Sequence, residues 1–281
     1  MKKIISFFTI ICFSVSVVTA QNSIKKKSTA AKNVSILKKE FVIPNLNNIS
    51  HKIWVYLPPN YAKTSKKFPV IYMHDAQNLF DNATSYIGEW QVDETLNKLF
   101  KKTGKGFIVV GIENGGNERI NEYTPWKNKK YGGGKGEIYI DFIVHTLKPY
   151  IDANYRTKKQ AKQTALIGSS LGGLISYYGG LKYPNVFGKI GALSTSFWFS
   201  NKVIDFTKKF GNISKIKLYL YVGGKEGESM DTDTKNMKNL LIATGFPVKN
   251  LKIDINPNGK HNEATWRSEF LKIISWLYKI H

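Results

Sequence analysis

Strand and helix patterns alternate along most of the chain. Alternating apolar and polar residues over 34–43 and 51–57 predict two strands, which we expect to form an antiparallel pair at a sheet edge. Continuous apolar runs predict central strands, and apolar positions three or four residues apart predict helices. The predicted strands are 68–74, 107–112, 163–167, 190–194, 216–222 and 251–255, and the predicted helices are 90–102, 139–151, 171–182, 236–244 and 263–279. This order predicts a single α/β domain over residues 34–281, with a mostly parallel, doubly wound sheet and helices on both faces.

One predicted strand-to-helix junction carries the pattern Gly-x-Ser-x-Gly. Ser170 lies between Gly168 and Gly172, directly before the predicted helix 171–182. A serine in such a sharp turn presents its hydroxyl clear of the sheet, and the N–H of Leu171 points toward the same place. We expect both glycines to be required, because a Cβ at either would collide with neighbouring backbone. Ser170 is therefore a candidate nucleophile, with Leu171 as an oxyanion donor.

The five-residue pattern alone leaves alternatives open, since its three fixed residues occur by chance in many chains. A dinucleotide-binding loop also joins a strand to a helix through glycines. Here, however, Ser170 stands where that pattern requires its second glycine, and no acidic residue follows about twenty positions later.

A serine nucleophile needs a base, and the base needs a carboxylate that fixes its tautomer. In α/β hydrolases the acid and then the histidine follow the serine along the chain. Of the five histidines only His261 and His281 follow Ser170, and His281 is the terminal residue. His261, in a turn after the last predicted strand, is therefore the candidate base.

The acid is expected in the loop directly after strand 216–222. Glu226 is nearest to the end of that strand and is the first candidate, followed by Glu228 and then Asp231. A solvated acidic loop without a catalytic role is the alternative.

Loops at the carboxyl edge of the predicted sheet are expected to contact a substrate, because ligands of open α/β sheets bind there. The loop after strand 68–74 would supply a second oxyanion N–H, for which Gln77 is the candidate, and His74 would order this loop. Arg119, Tyr123 and Trp198 are the candidate substrate contacts. No metal site is predicted, since the histidines lack the spacing of metal ligands.

The N-terminus predicts a secretory signal. Two lysines precede an apolar stretch over 4–18 that is short for a membrane span, and Ala20 suits cleavage. We expect residues 1–20 to be removed and 21–33 to form a disordered linker. Cys12 is the sole cysteine, so no disulfide is expected. The protein is expected to be exported, either periplasmic or secreted, with no stable membrane insertion after cleavage.

The chain is strongly basic, with 42 Lys and Arg against 20 Asp and Glu, a net charge of +22. Such a charge is typical of proteins that bind nucleic acid or anionic surfaces. Only Arg119, Arg156 and Arg267 are arginines, the residue preferred for bidentate contacts with phosphate and guanine. The lysines are spread over predicted helices and loops. We therefore expect no nucleic-acid partner and interpret most of the charge as solvated surface, which could steer anionic substrates.

Four segments together resemble the putative-esterase family of α/β hydrolases. They are Tyr-Met-His-Asp-Ala-Gln-Asn-Leu-Phe-Asp at 72–81, Val-Gly-Ile-Glu-Asn at 110–114, Gly-Ser-Ser-Leu-Gly-Gly at 168–173 and Gly-Lys-His at 259–261. That family includes siderophore, feruloyl and acetyl-xylan esterases, S-formylglutathione hydrolase and the antigen 85 mycolyltransferases. The resemblance extends over about residues 34–280.

The resemblance implies an α/β-hydrolase fold and hydrolysis of carboxylic esters without a cofactor. It implies the triad Ser170, Glu226 and His261, with Gln77 and Leu171 as oxyanion donors. Two positions depart from the pattern, because Ala76 stands where relatives often have glycine and Glu226 where they commonly have aspartate.

The expected function is thus hydrolysis of a small-molecule or glycan ester by an exported serine esterase, with a siderophore or an acylated carbohydrate as the favoured substrate. Two alternatives are an acyltransferase of the antigen 85 type and a catalytically inactive binding protein with the same fold. The sequence does not determine the acyl and alcohol parts of the substrate or the oligomeric state.

Overall fold

The computed structural model describes residues 26–46, 48–213, 215–227 and 229–280. The predicted signal peptide and Glu228, the second candidate acid, lie outside these residues. Within the described ranges, no helix combines the length and the apolar character needed to cross a membrane.

From the predicted strand 68–74 onward, strands and helices alternate as the sequence predicts. The strands are Val34–Ile36 (β1), Phe41–Val42 (β2), Ser50–His51 (β3), Ile53–Tyr56 (β4), Val70–His74 (β5), Ile108–Ile112 (β6), Thr164–Ser169 (β7), Lys189–Leu193 (β8), Lys217–Gly223 (β9) and Leu251–Asn256 (β10). The helices are Val92–Thr103 (α1), Arg119–Tyr123 (α2), Gly136–Phe142 (α3), Lys148–Asn154 (α4), Leu171–Lys182 (α5), Lys202–Phe210 (α6), Met230–Ala243 (α7) and Glu263–Tyr278 (α8). A π-helical turn, Ile143–Leu147, joins α3 to α4.

The main sheet has the strand order β1-β4-β6-β5-β7-β8-β9-β10. Strands β5 to β10 are parallel to one another, whereas β4 pairs antiparallel with β6 and β1 pairs antiparallel with β4. The α/β prediction, with antiparallel strands at the N-terminal edge, is therefore confirmed. The predicted strand 34–43 is interrupted by the polar residues 38–40, and its second part pairs with β3 in a separate small sheet.

Helices cover both faces of the sheet because alternate strand residues point to opposite sides. Helices α1 and α8 pack against one face, where Met73 of β5 is buried. Helices α3, α4, α5 and α7 pack against the other face, where Tyr72 is buried. Strands that are buried on both faces are continuous apolar runs, which is why the sequence identified them.

Short polar helices were missed by the sequence analysis. Helix α2 contains Arg119 and Tyr123, which we expected in a loop at the carboxyl edge of the sheet; α6 was not predicted, and α7 begins six residues before its predicted start. Helix α2 has five residues and α6 has nine, and each buries only two side chains, so neither presents a long apolar stripe in the sequence.

The described part of the predicted linker is hydrogen-bonded to the domain. Ser28 Oγ donates to Asp81 Oδ2 at 2.6 Å, the Ala31 N–H donates to Asp93 Oδ2 at 2.7 Å, and Asn33 Nδ2 donates to the Leu57 carbonyl at 2.6 Å. Residues 28–33 are thus attached to the loop before α1, to α1 itself and to the end of β4, which differs from the expected disorder. Local composition could not predict this, because most of the partners lie more than fifty residues away.

Candidate active site

Ser170 forms the strained turn between β7 and α5. Its backbone has φ 59° and ψ −124°, a conformation that costs a non-glycine residue roughly 1–3 kcal/mol. The turn is held from both sides of the residue: the Ser170 N–H donates to the Leu193 carbonyl at 2.9 Å, and the Ser170 carbonyl accepts from the Ser196 N–H at 3.2 Å. The turn is therefore fixed by the neighbouring strand β8 as well as by its own sequence.

Of the two glycines of the motif, only Gly168 is required by close packing. A Cβ on Gly168 would lie 2.5 Å from the Gly172 carbonyl oxygen and 2.8 Å from His74 Cδ2. A Cβ on Gly172 would meet nothing closer than Asp75 Oδ2 at 3.4 Å, an ordinary contact, so our expectation for Gly172 is wrong. Gly173 is required instead, because a Cβ there would lie 2.8 Å from the Leu193 carbonyl oxygen.

Glu226 and His261 are joined by a hydrogen bond at the carboxyl ends of β9 and β10. His261 Nδ1 lies 3.0 Å from Glu226 Oε2. Because a carboxylate accepts, Nδ1 carries the proton and Nε2 is left with its lone pair. The two loops are also connected through their backbones, since the Lys225 N–H donates to the Gly259 carbonyl at 2.9 Å.

The Glu226 carboxylate is fully buried, and its other oxygen is held by two donors. Oε1 accepts from the Gly223 N–H and from Ser194 Oγ, both at 2.7 Å. Ser194 Oγ in turn accepts from Trp266 Nε1 at 2.8 Å. Sequence reasoning missed Ser194 and Trp266; the available signal was the polar run Ser-Thr-Ser directly after the buried strand β8.

Ser170 and His261 line the same cavity, whose volume is about 420 Å³. The Ser170 hydroxyl lies 3.4 Å from Ser196 Oγ. Among the hydrogen bonds of the described residues there is none between Ser170 and His261. Catalytic hydrogen bonds are often long or absent without substrate and form when the complex is made, so this geometry is compatible with a nucleophile at rest.

Arg119 and Asp75 form a bidentate ion pair on the wall of this cavity. Arg119 Nε donates to Asp75 Oδ1 at 2.7 Å and Nη2 donates to Oδ2 at 2.9 Å. Burial would raise the pKa of Asp75, but the Arg119 guanidinium and the Asn114 amide outweigh it, and the pKa is lowered. Asp75 has φ 57°, so the ion pair also holds a left-handed backbone position. Arg119 reaches the cavity, but this pair already uses two of its donor groups.

Tyr123 does not reach the cavity, and the prediction that it contacts substrate is wrong. It is fully buried, and its hydroxyl accepts from the Asp75 N–H at 3.1 Å. The neighbouring Tyr139 hydroxyl lies 2.9 Å from Nδ1 of His74, which lines the cavity floor. Burial lowers the pKa of His74 to about 3, so its imidazole is neutral. Tyr123 and Tyr139 therefore contact the end of β5 and the loop after it from the protein interior.

The two predicted oxyanion donors lie close to the cavity but are not lining residues. Leu171 is the first residue of α5, so its N–H has no acceptor within the helix. The Gln77 side chain is fixed by Asn114: Nε2 donates to the Asn114 carbonyl at 3.2 Å, and Oε1 accepts from the Asn114 N–H at 3.3 Å. The roles of the Leu171 and Gln77 N–H groups stay predictions.

Trp198 lies in a different cavity, of about 300 Å³, between α6 and α7. It is half-exposed and packs against Tyr131 with ring centroids 5.8 Å apart. The cavity that Ser170 and His261 line, which we call the main cavity, is also lined by Glu263, a carboxyl that we did not predict. Burial raises the pKa of Glu263. Within the described ranges, no three His, Cys, Asp or Glu side chains are grouped as metal ligands.

Comparison with known proteins identifies the class. Residues 46–277 match the family described as "Putative esterase", and the chain belongs to this family. It is 28% identical over 242 residues to the uncharacterized protein YbbA of Bacillus subtilis, covering 82% of this chain and 93% of YbbA. It is 27% identical to an endo-1,4-beta-xylanase/feruloyl esterase of Xylanibacter ruminicola, covering 80% of this chain but only 29% of that protein.

Solved structures have the same fold. The BES protein from Bacillus cereus superimposes with a TM-score of 0.72 at 22% identity, covering 91% of this chain and 98% of its own. The siderophore hydrolase EstA from Aspergillus nidulans gives a TM-score of 0.70 at 17% identity, covering 96% and 100%. Membership of this family identifies the chain as a carboxylic-ester hydrolase, and the solved structures show that it shares their α/β fold.

The two motif glycines provide a test of the packing at the turn. We expect Gly168→Ala to lower the free energy of unfolding by about 2 kcal/mol or more, because its methyl group would overlap the Gly172 backbone. Gly172→Ala should leave it within about 1 kcal/mol of the wild type, since alanine is a better helix former. Chemical denaturation of both variants measures the difference, and equal destabilisation would contradict this account.

Proposed function

We propose that this protein is a serine esterase in which Ser170 is the nucleophile, His261 the general base and Glu226 the acid that orients His261. The observation that carries the proposal is the hydrogen bond between His261 Nδ1 and the buried carboxylate of Glu226, 3.0 Å long, beside the cavity that contains Ser170. Asp231, the third candidate acid, is instead paired with Lys235 at 2.8 Å.

In the first step the Ser170 hydroxyl leaves Ser196 and approaches Nε2 of His261. Its oxygen attacks the ester carbonyl carbon while its proton moves to Nε2. Glu226 stabilises the resulting imidazolium, and it can do so from a buried position because two donors and the imidazole hold its two oxygens. The carbon–oxygen bond to the alcohol then breaks, and the alcohol takes the proton from His261.

In the second step water replaces the alcohol. His261 removes a proton from the water, whose oxygen attacks the acyl carbon, and the bond to Ser170 breaks as the serine recovers its proton. The negative charge on the carbonyl oxygen would be stabilised in both steps by the N–H groups of Leu171 and Gln77. Support for Leu171 comes from its place at the start of α5.

We further propose that the substrate carries an aromatic ring, as esters of feruloyl groups and catecholate siderophores do. A cavity of about 420 Å³ is large enough for such a group, and Trp90, Trp266 and the exposed Tyr86 line it. The polar side chains Asn114, Asn117 and Arg119 would meet hydroxyl or carbonyl groups of the substrate. The name of the feruloyl esterase relative agrees with an aromatic acyl group.

Export through a cleaved signal at residues 1–20 is part of the proposal and rests on the sequence alone. It would place the enzyme where siderophores and cell-wall or plant glycans occur, in the periplasm or outside the cell. Hydrolysis requires no cofactor in this mechanism.

Three variants test the assignment of the catalytic residues. Ser170→Ala should abolish hydrolysis of p-nitrophenyl acetate, and Glu226→Gln should lower kcat by roughly 10²- to 10⁴-fold, because the tautomer of His261 would no longer be fixed. Asp231→Asn is the matched control and should retain wild-type kcat. Wild-type activity in Ser170→Ala would contradict the mechanism, and normal activity in Glu226→Gln would contradict the role of the acid.

A second set of variants tests the aromatic substrate. Tyr86→Ala should lower kcat/KM for a feruloyl ester by about 5- to 10-fold, because a lost aromatic contact is worth about 1 kcal/mol. It should leave kcat/KM for an acetyl ester nearly unchanged. Tyr131→Ala removes another exposed aromatic side chain, one that does not line the main cavity, and serves as control. An equal loss for both esters would contradict a ring-binding role for Tyr86.

A further inference from the structure

Lysine side chains are concentrated at the edge of the sheet opposite to the catalytic cavity. Strands β5 to β10 begin at this amino edge and end at the catalytic edge. A strand such as β9 is roughly 20 Å long, so the two edges are well separated. The sequence alone made the lysines look evenly spread, because those that meet at the amino edge come from distant parts of the chain.

Two adjoining grooves, which we call the lysine grooves, lie along this edge. The first has a volume of about 320 Å³, runs past the starts of β5, β6 and β7, and is lined by Lys66, Lys67, Lys105 and Lys158. The second has a volume of about 870 Å³, runs past the starts of β9 and β10, and is lined by Lys217, Lys249, Lys252, Lys272 and Lys279.

The two grooves are neighbours. Ile280 lines both, and Lys105 Nζ of the first groove lies 3.5 Å from the carbonyl oxygen of Lys279 in the second. None of the described residues that line either groove is acidic. Two carboxylates do act on Lys272, namely Glu269, at 2.9 Å, and Asp254, so this lysine is partly neutralised.

Two lysines of the second groove, Lys217 and Lys279, act electrostatically on lysines beside them. Burial, together with Lys217 and Lys279, lowers the pKa of the neighbouring Lys189 to about 8. The pKa of Lys217 is lowered by burial and by Lys279. Protein folding alone gives no reason to gather like charges, whereas a bound polyanion would relieve the repulsion.

We propose that the lysine grooves bind an acidic polysaccharide, a linear glycan with carboxylate or sulfate groups, and so hold the enzyme on a polyanionic matrix while the catalytic cavity faces away from it. Binding at this edge does not depend on the catalytic mechanism. The ammonium group of lysine is a strongly hydrated point charge, suited to the single carboxylate or sulfate of each sugar unit.

Other polyanions fit these grooves less well. None of the described residues that line the grooves is an arginine, and the Trp276 ring is covered by Lys217 Nζ at 4.2 Å from its centroid, so nucleic acid would lack bidentate donors there. A bilayer is a broad surface and would not reach the half-buried Lys217 inside a groove.

The test compares two triple variants that each remove three positive charges. Lys67→Gln/Lys105→Gln/Lys249→Gln alters exposed lysines of both grooves, and Lys202→Gln/Lys208→Gln/Lys209→Gln alters exposed lysines of α6 as control. Binding of the purified protein to heparin and to polygalacturonate is measured at several salt concentrations. We expect the groove variant to weaken binding about 10-fold at physiological salt and to reduce the salt dependence, and the control to change it less than about twofold.

Equal weakening by both triple variants would overturn the proposal, since net charge alone would then explain binding. Absence of binding by the wild type to either glycan would also overturn it. Binding to duplex DNA, polyglutamate and anionic vesicles is measured in parallel. Tighter binding to any of these than to both glycans would show that the natural ligand is not an acidic polysaccharide. Both triple variants should hydrolyse p-nitrophenyl acetate with the wild-type kcat/KM, so a failure of the esterase mechanism and a failure of this proposal are distinguishable.

Discussion

The parallel pairing of β5 to β10 is the constraint on which the candidate active site depends. Parallel strands bring all their carboxyl ends to one edge of the sheet, whatever their order in the sequence. Ser170, Glu226 and His261 follow three different strands, β7, β9 and β10, and they meet only because those strands point the same way. The same pairing brings the strand starts together and, with them, the lysine grooves.

Two carboxylates of the candidate site are each held by several hydrogen-bond donors. Glu226 is held by Gly223, Ser194 and His261, and Asp75 is held by Arg119 and Asn114. A carboxylate inside a protein is costly without partners, whereas one with several donors is held in place. The first of these carboxylates is hydrogen-bonded to His261. The second secures a left-handed backbone turn directly after β5, where the cavity floor begins.

The sequence was most informative where the chemistry is local. The turn at Ser170, the strand before it and the helix Leu171–Lys182 are all contained in one short segment, and the helix was predicted with its observed bounds. Glu226 and His261 could be proposed from chain order, because the fold fixes which loops approach the serine. The packing role of Gly173 is different, since it depends on the Leu193 carbonyl of another strand.

The features that the sequence missed all depend on contacts between distant segments. Ser194 belongs to the site because Glu226 and Trp266 approach it from elsewhere in the chain. Tyr123 was predicted to contact substrate from its position in a polar loop, yet α2 turns it into the interior. Residues 28–33 look like linker by composition and are held by side chains of the domain. In each case composition and periodicity carry no information about the partner.

Covalent labelling with a fluorophosphonate tests the central claim most directly, because such a probe transfers its phosphonyl group to an activated serine with loss of fluoride. Intact-mass and peptide analysis should show one adduct per chain, on Ser170, and none in Ser170→Ala. Glu226→Gln should be labelled much more slowly, since its His261 would no longer be held in the required tautomer. An adduct on a different residue, or undiminished ester hydrolysis by fully labelled protein, would contradict the account.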